Sequence, residues 1–144
     1  MKKLTTISLV LIMIITAISI SACGNNNAAQ TWVADSVMIN DVRVSVDDYI
    51  NAHKNFEKDL IKSIEIKEKS AIIETIDGVK KEKCSVPEEN YYLINDTLYK
   101  YDEEQNTLST PHEKVFTAIK NGKNEANIVP VKSDKPIVIY IEKK

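Results

Sequence analysis

Two histidines, two cysteines and six tyrosines are the side chains of this 144-residue chain whose chemistry is worth testing first. No His or Cys pair has metal-ligand spacing, so no zinc site is expected. With only three glycines in the chain, there is no nucleophile elbow, phosphate loop or dinucleotide fingerprint. Glu103 and Glu104 are adjacent, and nothing in the sequence sets one carboxylate across a cleft from the other. The acidic stretch "DEEQN" lacks the spaced aspartates and the glycine of a calcium loop and reads as a solvated loop. The expectation is a protein that is not an enzyme and needs no cofactor or metal. Tyrosine offers an apolar body with a polar tip, which suits contacts. Tyr99 and Tyr101 share one face of a strand, with Lys100 on the other. Tyr49 and His53 share one face of a helix. Together with the single tryptophan, Trp32, these are the candidate ligand or partner contacts. The alternative for each is core or rim packing, and a histidine on an apolar face more often packs than titrates.

Cys23 is the one residue with an assignable covalent fate. The chain opens "MKK", runs apolar from Ile7 to Ile20, and ends the run in Ser21-Ala22-Cys23. A basic start, a short apolar core and small residues make a secretory signal. The run is short for a membrane-spanning helix, which needs about 20 apolar residues. "ISAC" resembles the bacterial lipobox, which implies a diacylglycerol on the Cys23 sulfur and Cys23 as the new N-terminus. The alternative is an ordinary signal cut near Ala22, with Cys23 incidental. Two acyl chains anchor firmly, because each buried CH₂ contributes about 0.8 kcal/mol. Loss of Lys2 and Lys3 with the signal leaves 17 basic and 21 acidic residues, a net charge of −4. An acidic domain of this kind is expected to bind no nucleic acid and to be held at the membrane by lipid rather than by charge. With Cys23 acylated, Cys84 has no disulfide partner and reads as a small buried hydrophobe.

Three segments follow: a signal over 1–22, the lipidated cysteine and a tether over 23–31, and one domain over 32–144. The tether "GNNNAAQT" is small and polar, with an r.m.s. reach of roughly 15 Å. From Trp32 the pattern is β. "WVADSVMI" places Trp32 and Ala34, then Val37 and Ile39, on one face, which requires a bulge near Asp35-Ser36. Asn40-Asp41 turns into "VRVSV". "SVDDYINAHKNFEKDLIKS" predicts one helix, capped by Ser45 or Asp47, with Tyr49, His53, Phe56 and Leu60 along one face. Short strands then succeed one another, with turn signals at Asp77-Gly78, Asn95-Asp96 and Asn121-Gly122. The lysine-rich "VKKEKC" reads as an edge. "PIVIYIEKK" is apolar on both faces and predicts a buried last strand. The fold class is therefore mainly β, an antiparallel meander closing on itself, with one helix near the start of the domain.

The Trp-led first strand, the "SVDDYI" helix start, the run of hairpins and the final "IVIYIEKK" resemble small lipocalin-like domains of bacterial lipoproteins. A lipocalin often carries glycine two residues before this tryptophan; here Gln30 stands there. The resemblance implies a closed barrel with Trp32 plugging one end and the last strand beside the first. It also implies a lipid-anchored location on the extracytoplasmic face of the cell membrane. Three functions fit these expectations. One is a binding module for a small apolar ligand, a peptide or a protein. Another is a self-immunity lipoprotein that intercepts a cationic membrane-active peptide. The third is a docking subunit of an envelope complex.

Overall fold

A computed structural model describes residues 29–144. The signal and Cys23 lie outside the described residues. Strands β1 (Gln30–Ile39), β3 (Ser63–Ile66), β4 (Ser70–Thr75), β5 (Gly78–Ser85), β6 (Tyr91–Ile94), β7 (Thr97–Asp102), β8 (Thr107–Ser109) and β11 (Ile137–Glu142) pair in that order. β11 then returns to β1. Every pairing is antiparallel, so the ring is a closed eight-stranded barrel. This is the architecture the resemblance implies, and closure removes the free edges of the sheet. β2 (Val42–Ser45) lies outside the ring, paired with the second half of β1. The closed ring and its core lie wholly within residues 30–142.

β1 is long enough to serve three neighbours because it carries the expected bulge. Its register against β11 shifts between Ala34 and Ser36. Trp32 and Ala34 face the interior before the shift; Val37, opposite Val138, faces it after. With all its residues in strict alternation from Ala34 and no bulge, the strand would turn Val37 outward. Arg43 clasps the bulge from β2: its Nε donates to Ser36 Oγ at 2.6 Å and its Nη2 to Asp35 Oδ2 at 2.9 Å. Ser36, buried yet polar, is satisfied by that bond.

The tight turns follow their chemistry. Asn40 and Asp41 both take positive φ, 48° and 64°, as do Asn121 and Gly122, 52° and 74°, the pairs that a two-residue hairpin with two left-handed positions prefers. The turn expected at Asp77-Gly78 sits one residue earlier: Thr75 pairs with Gly78, and Ile76-Asp77 form the tip.

The helical segment follows the first two strands, as expected, but it is broken. α1 (Val46–Ala52) is capped by Ser45, whose Oγ accepts from Asp48 N at 3.1 Å. At His53 the backbone leaves the helical region (φ −133°, ψ 72°), and α2 spans Phe56–Asp59. The break has a packing reason. Phe56 follows Ile50 by roughly 240° of helical rotation, so an unbroken helix would bury only one of them. Broken at His53, the segment packs Val46, Ile50, Phe56 and Ile61 against the core and buries Leu60 within it.

One pair of strands leaves the barrel altogether. β9 (Glu113–Lys120) and β10 (Lys123–Pro130) form a separate two-stranded ribbon inserted between β8 and β11. The hairpin itself was expected from Asn121-Gly122; its separation from the meander was not.

Candidate functional site

The barrel interior is occupied by side chains. Trp32, Ile64, Tyr99, Leu108 and Tyr140 are at most 2 % exposed and form one cluster with Ala71, Cys84, Ile94 and Val138. Small eight-stranded barrels are just wide enough to be filled this way. Tyr99 and Tyr140 meet edge to face at 6.1 Å, and Trp32 meets Tyr101 at 5.6 Å. Burial raises the pKa of the Tyr99 hydroxyl above its ordinary value. The Tyr140 hydroxyl is raised well above its ordinary value, by burial first and by the neighbouring Tyr99 second. Burial likewise pushes the Cys84 thiol up, away from its reactive form.

The residues singled out from sequence fall in three places. Trp32 and Tyr99, each 1 % exposed, are core and present no surface to a partner. Tyr49 and His53 stack on one another at 4.3 Å beside the helix break, and Phe56 meets Tyr49 edge-on at 4.7 Å. His53 Nδ1 donates to the Tyr49 carbonyl at 3.3 Å, so the ring serves the α1 terminus. Tyr101 is half-buried, and its hydroxyl donates to Asn106 Oδ1 at 3.1 Å. Among the described residues, no three His, Cys, Asp or Glu side chains come together in a way that could hold a metal ion.

Tyr101 is the member of this set that lines an open hollow. The hollow, about 440 Å³, lies along the outside of β1, β11, β8 and β7. Met38 and Ile139 supply its apolar lining; both point away from the core, since Ile139 pairs with Ser36 and Ser109 on the outer face. Asp102, Glu103 and Glu104, all exposed, supply its acidic rim. The β7–β8 turn is pinned by Gln105 N donating to Asp102 Oδ1 at 3.0 Å and by Asn106 Nδ2 donating to Glu142 Oε2 at 3.0 Å. Lys100, the one cation in the lining, has its Nζ 5.5 Å from the centre of the Tyr91 ring. The Tyr91 hydroxyl, chiefly, and then the Glu113 and Asp102 carboxylates raise its pKa. The lining thus sets three carboxylates against one ammonium, around a wall shared by Met38 and Ile139 with the polar Thr107 and Ser109. Lys143 N donates to Thr31 O at 2.8 Å, so the Asn106–Glu142 end is also the end at which the chain enters the barrel.

Sequence reasoning reached Tyr101 and missed Met38, Ile139 and the rim. The alternation around Tyr101 was the available signal: if Tyr99 and Tyr101 point inward, Asp102 points outward. The second apolar face of "PIVIYIEKK" was another, because Ile139 and Ile141 must cover or line something on the outside. No family model, characterised protein or solved structure matches this chain.

Proposed function

We propose that the mature chain is a membrane-anchored extracytoplasmic lipoprotein, and that its lipocalin-like barrel is a non-catalytic binding module for a peptide or protein segment with apolar and basic side chains. The observation that carries this reading is the hollow beside Tyr101, with its Met38 and Ile139 floor and its Asp102, Glu103 and Glu104 rim. A small apolar ligand is the weaker choice, since the interior would have to expel Tyr99, Leu108 or Tyr140 to admit it. Anchoring through Cys23 rests on the lipobox-like "ISAC" and on the short polar tether after it. The tether joins the barrel at the end that carries the rim, which would hold the hollow toward the membrane. That placement favours, as the more specific version of the reading, interception of a cationic membrane-active peptide before it reaches the bilayer.

Two measurements test this. Fractionation of cells carrying Cys23→Ala should find the protein released from membranes and still folded; retention in the salt-washed membrane fraction would reject the anchor. Titration with a synthetic cationic amphipathic peptide should show binding that weakens as salt rises, because rim charges are solvent-screened. Charge reversal at Asp102, Glu103 and Glu104 to lysine should lower that affinity about tenfold or more, roughly 0.5 kcal/mol for each reversed surface charge. Equal affinity in the reversed protein would reject the hollow as the site.

A further inference from the structure

The β9–β10 ribbon is the least explained part of the molecule. A lone two-stranded ribbon is marginal in water, and this one exposes apolar side chains far from its root. Phe116 is 57 % exposed and Ile119 79 %. Paired residues share a face, so one face of the ribbon carries Val115, Thr117 and Ile119 opposite Ile128, Ala126 and Asn124. The other carries Phe116 with Lys120 and Lys123 at the tip. Lys120 has only a loose, exposed ion pair with Glu125 at 3.8 Å. The tip is thus apolar and basic, while the rest of the mature chain is acidic.

The ribbon is rooted at the end of the barrel opposite the tether. His112 Nε2 donates to the Lys135 carbonyl at 2.6 Å, and both line a hollow that includes Asn40 and Asp41 of the β1–β2 turn. A root at that far end does not favour the anchoring bilayer as the ribbon's occupant. The surface with the complementary chemistry is on this chain: an apolar floor with three rim carboxylates.

We propose that the tip of the ribbon, Phe116 to Lys123, docks in the acidic hollow of a second copy of the chain. Phe116 meets Met38 and Ile139, and Lys120 and Lys123, on the same face of the ribbon, meet the rim. Such a contact joins two different patches, so it is head-to-tail, and it either closes into a ring or extends as an open filament. The inference shares the hollow with the reading above. It does not depend on the anchor or on any peptide, and an external basic peptide would compete with the ribbon for the same place.

The test is sedimentation of the unlipidated chain from Gly24 onward, which contains the whole barrel and its core. The wild type should associate with rising concentration at low salt and dissociate at high salt. Lys120→Glu/Lys123→Glu should be monomeric, and so should Asp102→Lys/Glu103→Lys/Glu104→Lys. Mixed together, these two variants should recover association in alternation, because the native tip meets the native rim at one junction and the reversed tip meets the reversed rim at the next. A wild type that stays monomeric at every concentration would overturn the proposal, as would association that neither reversal weakens. A wild type that remains monomeric yet co-sediments with phosphatidylglycerol vesicles would place a membrane, not a second copy, on the ribbon. Failure of the peptide titration with intact self-association would leave this contact standing, and the reverse result would remove it alone.

Discussion

Replacement of Trp32 by alanine is expected to destabilise the barrel by about 3–5 kcal/mol, the usual cost of truncating a fully buried large aromatic. Trp32 is 1 % exposed. It stands opposite Ile64 across the β1–β3 pairing and opposite Glu142 across β1–β11, so its loss opens a void where three strands meet. The Tyr101 ring, which meets it edge-on, would lose its support at the same time, and Tyr101 lines the hollow. Domains of this size are stable by about 5–15 kcal/mol, so the variant should be near its folding threshold. Urea denaturation followed by circular dichroism reads the effect, since the substitution removes the only tryptophan fluorophore. Trp32→Phe, which keeps an aromatic body in the site, should recover much of the loss. A midpoint unchanged in Trp32→Ala would mean that the first strand does not close the barrel as described.

Deletion of Val33 is expected to do far more damage than deletion of Asp35, two residues along the same strand. Asp35 is partly exposed, and its contact with Arg43 is a surface ion pair, 46 % and 36 % exposed on its two sides. Such a pair contributes only about 0–1 kcal/mol. Asp35→Ala should therefore be close to neutral. Removing Asp35 altogether erases the bulge yet leaves Ala34, Ser36 and Val37 in plain alternation opposite Tyr140, Ile139 and Val138. Removing Val33 instead puts the fully buried Trp32 out of phase with Ala34, so that Trp32 points outward and Thr31 points into the core. The Val33 deletion should lose its cooperative thermal transition and its dispersed amide spectrum, while the Asp35 deletion and Asp35→Ala retain both. Equal behaviour of the two deletions would show that inward and outward alternation does not govern β1.

The contrast explains how much could be read from the chain. Alternation within β1, the side-chain asymmetry of β7 and the turn pairs at Asn40-Asp41 and Asn121-Gly122 are local signals, and each points to the observed element. The broken helix was not legible because its face was traced as one period through His53. The phase jump between Ile50 and Phe56 becomes decisive only when both must reach the same core. Separation of the ribbon was less legible still. "KVFTAIK" and "NEANIVPV" look like any other strands, and whether strands join a ring depends on closure elsewhere, here on β8 meeting β11 directly. The candidate site divides the same way. Tyrosines were noticed as a residue type, but Tyr99 is fully buried in the core while Tyr101, two residues on along the same inward face, is half-buried beside the β7–β8 turn. The hollow is assembled from β1, β7, β8 and β11, and its members share no sequence neighbourhood.

The neck of the ribbon is narrow. Val131 N donates to His112 O at 2.8 Å, so the chain leaves the body and returns to it at adjoining points. Segments that depart and rejoin in this manner are where insertions are best tolerated, since nothing beyond the neck need change. The eighteen residues between those points can lengthen, shorten or exchange their side chains while Trp32, Tyr99 and Tyr140 stay packed. A lineage carrying this barrel can thus keep an inherited body and diversify a single appendage, so that what the molecule recognises evolves at a different pace from what keeps it folded.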